Sequence, residues 1–218
     1  FERLDALTKR VKAAIEKRQA NLPPGDKNLF LFVTNRCNAK CEHCFYWDHL
    51  NSPEDEMGLK EFKQLTKTMR GQLRMVTITG GEPFMAKDLL KVSKMFLQDH
   101  QIQQINFITN GIMSKKIHAD VKKILSYAAP HVRVLVNVSL DGMADSHDAI
   151  RKVPGNFAKA ITTIEMLKSL QKKYPNFEVG SLCTVSRGNL DEYKQLNSYV
   201  EEELNIYHRV NLIRSNSA

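Results

Sequence analysis

The chain has 218 residues, of which 42% are hydrophobic and 26% are charged. This composition excludes a disordered or fibrous chain and leaves enough apolar residues for a sizeable core, most simply in one domain. The longest apolar runs, such as 29–33, have the length of a strand and fall far short of the ~18 residues that a membrane span requires. We therefore expect a cytoplasmic protein with no membrane contact.

The formal net charge is +8, from 32 Lys and Arg against 24 Asp and Glu. Basic residues are mixed with acidic ones, as at Glu16-Lys17-Arg18, and no long run of like charges occurs. This mixture is typical of a solvated surface. Net charge attracts acidic partners weakly and confers little specificity, so nucleic acid is not the expected partner.

Short runs of β-branched and aromatic residues alternate along the chain with longer segments of helical period. This alternation is typical of βα units around a mainly parallel sheet, which is an α/β fold. The six predicted strands lie at 29–34, 75–79, 105–109, 132–140, 178–185 and 207–213. Helices that cover the sheet are predicted around 59–69, 86–98, 117–125, 161–167 and 193–200.

The first residues of the chain form an amphipathic pattern. Leu4, Leu7, Val11 and Ile15 share one helical face, and a stretch rich in helix breakers follows at 21–25. We therefore predict two parts, an N-terminal helix and linker over 1–25 and a βα domain over 26–218. Because the chain stops directly after the sixth predicted strand, we also expect that a C-terminal extension is missing.

Unusual residue clusters follow the carboxyl ends of the predicted strands. In chain order they are Cys37, Cys41 and Cys44, then Gly80-Gly81-Glu82-Pro83, Asn110-Gly111, Ser139-Leu140-Asp141-Gly142, Arg187-Gly188-Asn189 and Arg214. The carboxyl ends of parallel strands share one face of a βα fold, which is where ligands bind. The clusters therefore predict one composite active site.

Three of the four cysteines, Cys37, Cys41 and Cys44, lie within one short loop. This clustering excludes a distributed disulfide framework and indicates a metal, because soft thiolates select zinc, copper(I) or iron–sulfur clusters. A structural zinc ion would need a fourth ligand such as His43 or His49, and His43 is adjacent to Cys44 and would reach the same ion with difficulty. Three thiolates on a cubane cluster would instead leave one iron open to a small molecule. The spacing favours the cluster and leaves zinc as an alternative.

The combination of two motifs resembles the radical S-adenosylmethionine (SAM) superfamily over residues 29–213. The motifs are Cys37-x-x-x-Cys41-x-x-Cys44 after the first strand and Gly80-Gly81-Glu82-Pro83 after the second. Thr109-Asn110-Gly111, Ser139-Leu140-Asp141-Gly142 and His147-Asp148-Ala149-Ile150-Arg151 further resemble the branch that often carries a C-terminal SPASM or twitch extension and modifies peptides or proteins. The extension and its cysteine-rich auxiliary cluster are absent from this sequence.

The resemblance implies a partial (β/α)6 TIM-like barrel that holds a 4Fe-4S cluster on Cys37, Cys41 and Cys44. The open iron would chelate the amino and carboxylate groups of SAM. An electron from an external donor of the flavodoxin or ferredoxin type would then cleave the cofactor to a 5'-deoxyadenosyl radical, which abstracts a hydrogen atom from substrate. A peptide or protein substrate is expected from the same resemblance.

The resemblance also implies which residues contact SAM. Gly80 and Gly81 would let the backbone approach the cofactor closely, and Glu82 offers acceptors for its ammonium group. Arg151 would pair bidentately with the methionyl carboxylate, and Ser139 would add a hydroxyl donor. Taken alone, the glycines could form a plain turn and the arginine a surface salt bridge.

The remaining candidates carry weaker signals. Asn110 and Asp141 would reach ribose hydroxyls or organise the loops at the strand ends. His43 would flank the adenine, where Tyr46 and Trp47 would line the pocket or pack in the core.

Four further residues are interpreted as structural. His147 and Asp148 could suggest an acid/base pair, but adjacent residues on a helix or turn point apart. The resemblance implies instead that this segment positions the nearby arginine. Cys183 is expected to be a small buried hydrophobe of the fifth strand, and Asn189 to cap a helix that starts near 190.

The alternative function is a zinc-stabilised module that binds nucleic acid through its basic surface. It predicts a colourless protein with one zinc ion and salt-sensitive binding to oligonucleotides. A radical enzyme predicts a brown, oxygen-sensitive protein that makes 5'-deoxyadenosine.

Overall fold

The computed structural model describes residues 25–52, 56–99 and 102–213. The strands are β1 Lys27–Phe32, β2 Leu73–Thr79, β3 Gln104–Thr109, β4 Arg133–Ser139, β5 Phe177–Val185 and β6 Tyr207–Leu212. The helices are α1 Leu59–Thr68, α2 Leu89–Asp99, α3 Ser114–Tyr127, α4 Ala144–Arg151, α5 Asn156–Gln171 and α6 Tyr193–Ser198. The predicted N-terminal helix and nearly all of the predicted linker lie outside the described residues, as does the predicted site at Arg214.

All six strands belong to one sheet, in the order of the chain from β1 to β6. Every neighbouring pair is parallel. Parallel neighbours need crossover connections, and helices supply them here. The predicted partial (β/α)6 TIM-like barrel is confirmed: six parallel strands form a half-barrel with helices.

The two faces of the sheet differ in what covers them. Val134, Val136 and Val138 alternate along β4 and lie in the main hydrophobic core, together with residues of the covering helices. Leu135 and Asn137 point to the opposite face, which we call the concave face. The concave face carries a row of polar side chains, in which the Asn106 side-chain amide donates to the Thr77 hydroxyl at 3.2 Å.

The observed elements differ from the predicted ones in three places. Helix α2 begins at Leu89 rather than near 86, because a 3-10 turn, Pro83–Met85, precedes it. Helix α4 was not predicted as a separate element, because its eight residues are too few to show a helical period. The predicted helix over 193–200 is α6 followed by a π-helical turn, Tyr199–Glu203.

None of the helices in the described ranges is long and apolar enough to cross a membrane.

Candidate active site

The predicted site residues converge at the carboxyl edge of the sheet because backbone hydrogen bonds join their loops. The Gly81 amide donates to the Thr34 carbonyl at 2.8 Å, and the Glu82 amide donates to the Arg36 carbonyl at 2.7 Å. Thr34 and Arg36 belong to the loop after β1 that carries the three cysteines, which we call the cysteine loop. This loop is also attached to the end of α4, where the Glu42 amide donates to the Ile150 carbonyl at 2.9 Å. One loop thus contacts both the β2 end and α4.

Each of two cysteine sulfurs lies beside a hydrogen-bond donor. The Arg151 Nη1 atom lies 3.6 Å from the Cys41 Sγ atom, and the Asn110 Nδ2 atom lies 4.0 Å from the Cys37 Sγ atom. Donors of this kind stabilise negative charge on sulfur. Cys41 is buried, and Cys37 and Cys44 are partly buried. Burial raises the pKa of Cys37 to about 11 and also raises the pKa of Cys44, so ligation of a metal by these thiols would release protons.

The cysteine loop carries the three thiolates that a four-iron cluster takes. Among the residues described, no three His, Cys, Asp or Glu side chains are grouped closely enough to hold one metal ion. In a four-iron cluster the three thiolates bind three different irons, so their sulfurs need not converge on one point. The donor set of three thiolates therefore fits the predicted cluster.

Asn51 is a supporting residue that the sequence analysis missed. Its side-chain amide accepts from the Cys37 amide and donates to the Cys37 carbonyl, both at 3.0 Å. This paired contact holds the backbone of the first cysteine. The sequence offers no signal for it, because Asn51 lies 14 residues further along the chain.

The two glycines after β2 are required by a neighbouring backbone. A Cβ atom on Gly80 would lie 2.4 Å from the Thr34 carbonyl oxygen, and one on Gly81 would lie 2.3 Å from the Arg36 carbonyl oxygen. Gly80 also has a φ of 139°, a backbone angle that residues with a Cβ atom rarely adopt. The absence of side chains therefore lets the cysteine loop pack directly on the β2 end. Contact of these glycines with a cofactor stays a prediction.

The Glu82 carboxylate is completely buried and is held by three donors. It accepts from the Thr109 hydroxyl at 2.8 Å, from the Asn110 amide at 2.8 Å and from the Phe84 amide at 3.2 Å. Burial raises its pKa to about 7 although these hydrogen bonds oppose the shift. In this structure Glu82 joins the β2 end to the β3 end, and its predicted contact with an ammonium group stays a prediction.

Asp141 and Arg151 form a buried ion pair beneath the cysteine loop. The Arg151 Nε atom lies 2.5 Å from the Asp141 Oδ2 atom, and Arg151 is only 8% exposed, so it is not a surface arginine. Burial alone would raise the pKa of Asp141, but the charges of Arg151 and His43 outweigh it and keep that pKa below its usual value. Asp141 also accepts from the Thr184 amide at 2.8 Å. Of the two predicted roles of Asp141, the structure places it in the one that organises the strand-end loops.

Ser139 and His43 adjoin this pair. Ser139 ends β4, is 5% exposed, and its hydroxyl makes no hydrogen bond within the described part of the chain. The His43 Nε2 atom lies 3.6 Å from the Asp141 carboxylate. The His43 Nδ1 atom is buried and has no partner among the described residues. The predicted contacts of both side chains with SAM stay predictions.

The other predicted residues divide between loop contacts and packing. Asn110 donates to the Asn38 side chain at 2.7 Å and accepts from the Ile112 amide at 3.0 Å. Tyr46 packs against Phe32 with ring centroids 5.5 Å apart, and Trp47 is 46% exposed. Asn110 therefore organises its loop in this structure, and Trp47 is not a core residue.

Three residues interpreted as structural are buried in the folded chain, and one has a different role from the expected one. Cys183 is buried in β5, as predicted. His147 is buried and accepts from the Asp141 amide at 3.1 Å through Nδ1. Asn189 does not cap a helix. Its side-chain amide donates to the Asp141 carbonyl at 2.8 Å and to the Thr184 carbonyl at 3.0 Å. Its prediction as a cap was wrong because α6 starts only at Tyr193, leaving Asn189 free to fasten the loop after β4.

The comparison with known proteins points to one family. GTP 3',8-cyclase of Staphylococcus epidermidis is 31% identical over 150 residues, which cover 65% of this chain and 41% of the cyclase. The antilisterial bacteriocin subtilosin biosynthesis protein AlbA of Bacillus subtilis is 30% identical over 144 residues, which cover 62% of this chain and 29% of AlbA. The chain thus spans about two fifths of the length of the cyclases that it matches.

The fold is also found in solved structures. The crystal structure of Streptococcus suis SuiB bound to S-adenosylmethionine matches with a TM-score of 0.64 and 16% identity, covering 99% of this chain and 47% of SuiB. The sequence model of the Radical SAM superfamily matches residues 31–196, about three quarters of the chain. Proteins of this family use a 4Fe-4S cluster and SAM, which the three thiolates and their neighbouring donors fit. The chain therefore belongs to the Radical SAM superfamily.

Proposed function

We propose that this chain is the SAM-cleaving core of a radical enzyme that abstracts a hydrogen atom from a peptide or protein. The observation that carries the proposal is the cysteine loop at the carboxyl edge of the sheet. Arg151 and Asn110 place donors beside the Cys41 and Cys37 sulfurs in that loop.

In this proposal Cys37, Cys41 and Cys44 hold the cluster, and Ser139 and Arg151 bind the methionine end of SAM. When bound, the cluster supplies the electron that cleaves SAM to methionine and a 5'-deoxyadenosyl radical. Asp141 orients the guanidinium of Arg151, and the Ser139 hydroxyl, which has no partner in the described chain, donates to the cofactor. The electron donor is of the flavodoxin or ferredoxin type.

Three observations support a peptide as the substrate. AlbA, named for the biosynthesis of a bacteriocin, is 30% identical over the matched residues. SuiB has also been solved with its precursor peptide SuiA, and that structure matches with a TM-score of 0.59. A peptide also suits the polar row on the concave face, because amide side chains both donate and accept hydrogen bonds.

The proposal is tested by anaerobic reconstitution with iron and sulfide, reduction with dithionite, and measurement of 5'-deoxyadenosine. We expect a brown protein with about four irons that forms 5'-deoxyadenosine from SAM. Cys41→Ala should abolish both cluster binding and turnover while leaving the sheet folded, because the cysteine loop lies outside the hydrophobic core. Cys183→Ala is the matched control, since Cys183 is a buried thiol of β5, and it should retain both.

Two outcomes would contradict the proposal. One is a fully loaded protein that never cleaves SAM, and the other is Cys41→Ala with unchanged 5'-deoxyadenosine formation. A metal analysis that finds one zinc ion and no iron would instead support the zinc-stabilised module. Transfer of deuterium from a labelled peptide into 5'-deoxyadenosine would establish the peptide as substrate.

A further inference from the structure

Three neighbouring strands place three residues in one row on the concave face. Ser139 of β4 is paired with Leu182 of β5, and Leu182 is paired with Arg209 of β6. Paired residues on neighbouring strands point to the same face, and strands lie about 4.8 Å apart. The Cα atom of Arg209 therefore lies about 10 Å from that of Ser139, the residue to which we assign the methionine end of SAM.

Tyr207 fixes the position of Arg209 on this face. The Tyr207 ring lies flat against β5 at Gly180, where an added Cβ atom would lie 2.2 Å from the ring. Its hydroxyl donates to the Asn137 Oδ1 atom at 2.9 Å. The Arg209 guanidinium lies over this ring, 5.2 Å from the centroid. Such a cation–π contact orients a guanidinium while leaving its N–H donors available.

Arg209 differs from Arg133 and Arg151 in having no carboxylate partner among the described residues. Arg151 is paired with Asp141, and Arg133, at the other end of the concave face, is paired with Glu178 at 2.7 Å. Arg209 is exposed, and within the described residues no carboxylate lies within 4.0 Å of it. Its positive charge is therefore available to a ligand bound on the concave face.

We propose that Arg209 and Tyr207 form a subsite on the concave face that binds a carboxylate of a peptide substrate. The guanidinium presents paired N–H donors that match the two oxygens of a carboxylate. The inference rests on the proposed function, because the ligand is the substrate of the same site. It adds the chemical feature by which that substrate is selected, on a strand two positions from the one that ends in Ser139.

The test is a fluorescence-anisotropy titration of the reconstituted protein with three labelled peptides. The first is a Glu-Gly repeat with an amidated C-terminus, the second a Gln-Gly repeat with a free C-terminus, and the third an amidated Gln-Gly repeat that carries no carboxylate. Preference for the first over the third identifies an acidic side chain as the ligand, and preference for the second over the third identifies a C-terminus. Equal binding of all three overturns the proposal.

Variants separate the subsite from general charge attraction. We expect Arg209→Ala to weaken binding of the preferred peptide by about fivefold or more, and Arg209→Lys to restore part of the loss. Arg133→Ala is the control, because it removes the same charge from the same face, and it should change binding by less than about twofold. Equal losses in Arg209→Ala and Arg133→Ala would show that only net charge matters and would overturn the proposal.

The titration needs no turnover, so the two proposals can fail separately. Formation of 5'-deoxyadenosine together with binding that does not depend on Arg209 would overturn the subsite and leave the radical function standing. Binding that depends on Arg209 in a protein that never cleaves SAM would support the carboxylate subsite and overturn the function.

Discussion

Asp141 holds several parts of the active-site edge together. Its carboxylate holds Arg151, which in turn lies beside the Cys41 sulfur. The same carboxylate accepts the Thr184 amide, and its backbone contacts the side chains of His147 and Asn189. A single buried acid thus connects the loop after β4 with α4, the β5 end and the cysteine loop.

We predict that Asp141→Asn lowers the free energy of unfolding by about 3–5 kcal/mol, because it leaves the buried Arg151 charge without its partner. The double variant Asp141→Asn with Arg151→Met should cost less than the sum of the two single variants, since it removes both charges. Urea unfolding of the metal-free protein under anaerobic conditions measures these differences.

The control for this prediction is Asp88→Asn, which breaks the exposed ion pair between Asp88 and Lys91. Water screens such a pair, so the loss should be under about 1 kcal/mol. Equal losses at Asp141 and Asp88, or strict additivity in the double variant, would show that the buried pair does not act as a unit.

At the scale of elements, the loops after β1 and β2 act as one structural unit. Successive amides of the β2 loop, Gly81 and Glu82, donate to carbonyls of the cysteine loop. The two backbones can approach this closely only because Gly80 and Gly81 have no Cβ atom. The glycine motif and the cysteine motif therefore depend on each other physically, although 35 residues lie between them in the chain.

We expect Gly81→Ala to force these loops apart, because its Cβ atom would lie 2.3 Å from the Arg36 carbonyl oxygen. The cost should be about 1–3 kcal/mol in unfolding free energy, with reduced iron incorporation, since Arg36 precedes the first cysteine. Thermal unfolding and iron analysis measure the two effects. Gly188→Ala is the matched control, because a Cβ atom there meets only the Ser186 hydroxyl at 3.6 Å, and it should leave both values near wild type. Normal iron content in Gly81→Ala would contradict the coupling of the two loops.

At the scale of the whole molecule, the main hydrophobic core lies on the helix face of the sheet, and the concave face is exposed at its first strand. Phe107 of β3 is completely buried on the helix face, where its ring lies 6.0 Å from that of Phe84. Phe30 of β1 belongs to the concave face and is 62% exposed. Most of the hydrophobic stabilisation therefore comes from the helix side of the sheet.

This asymmetry predicts unequal effects of the same substitution. Phe107→Ala should lower the free energy of unfolding by about 3–5 kcal/mol, because it leaves a cavity in the core. Phe30→Ala should cost less than about 1 kcal/mol, because most of its ring already contacts water. Denaturant unfolding of both variants checks the prediction, and similar losses in the two would show that the Phe30 ring is packed in solution.

Local patterns were enough to predict several features of this protein. The alternation of short apolar runs with helical periods predicted the six parallel strands, because strand and helix periods are properties of neighbouring residues. The spacing of Cys37, Cys41 and Cys44 predicted a metal site, because three thiols within one loop have few other uses. Helix α4 was not predicted, because eight residues give too short a pattern.

Contacts between distant residues could be decided only by the tertiary structure. They include the burial of Glu82 against the β3 end, the pairing of Asp141 with Arg151, and the placement of Arg209 over Tyr207 on the concave face. Each depends on strand register, in which a shift of one residue would move a side chain to the other face of the sheet. The amino-acid sequence by itself therefore determined which chemistry the chain can carry. The packing of the strands decided which side chains lie on the concave face, because strand register depends on residues far apart in the chain.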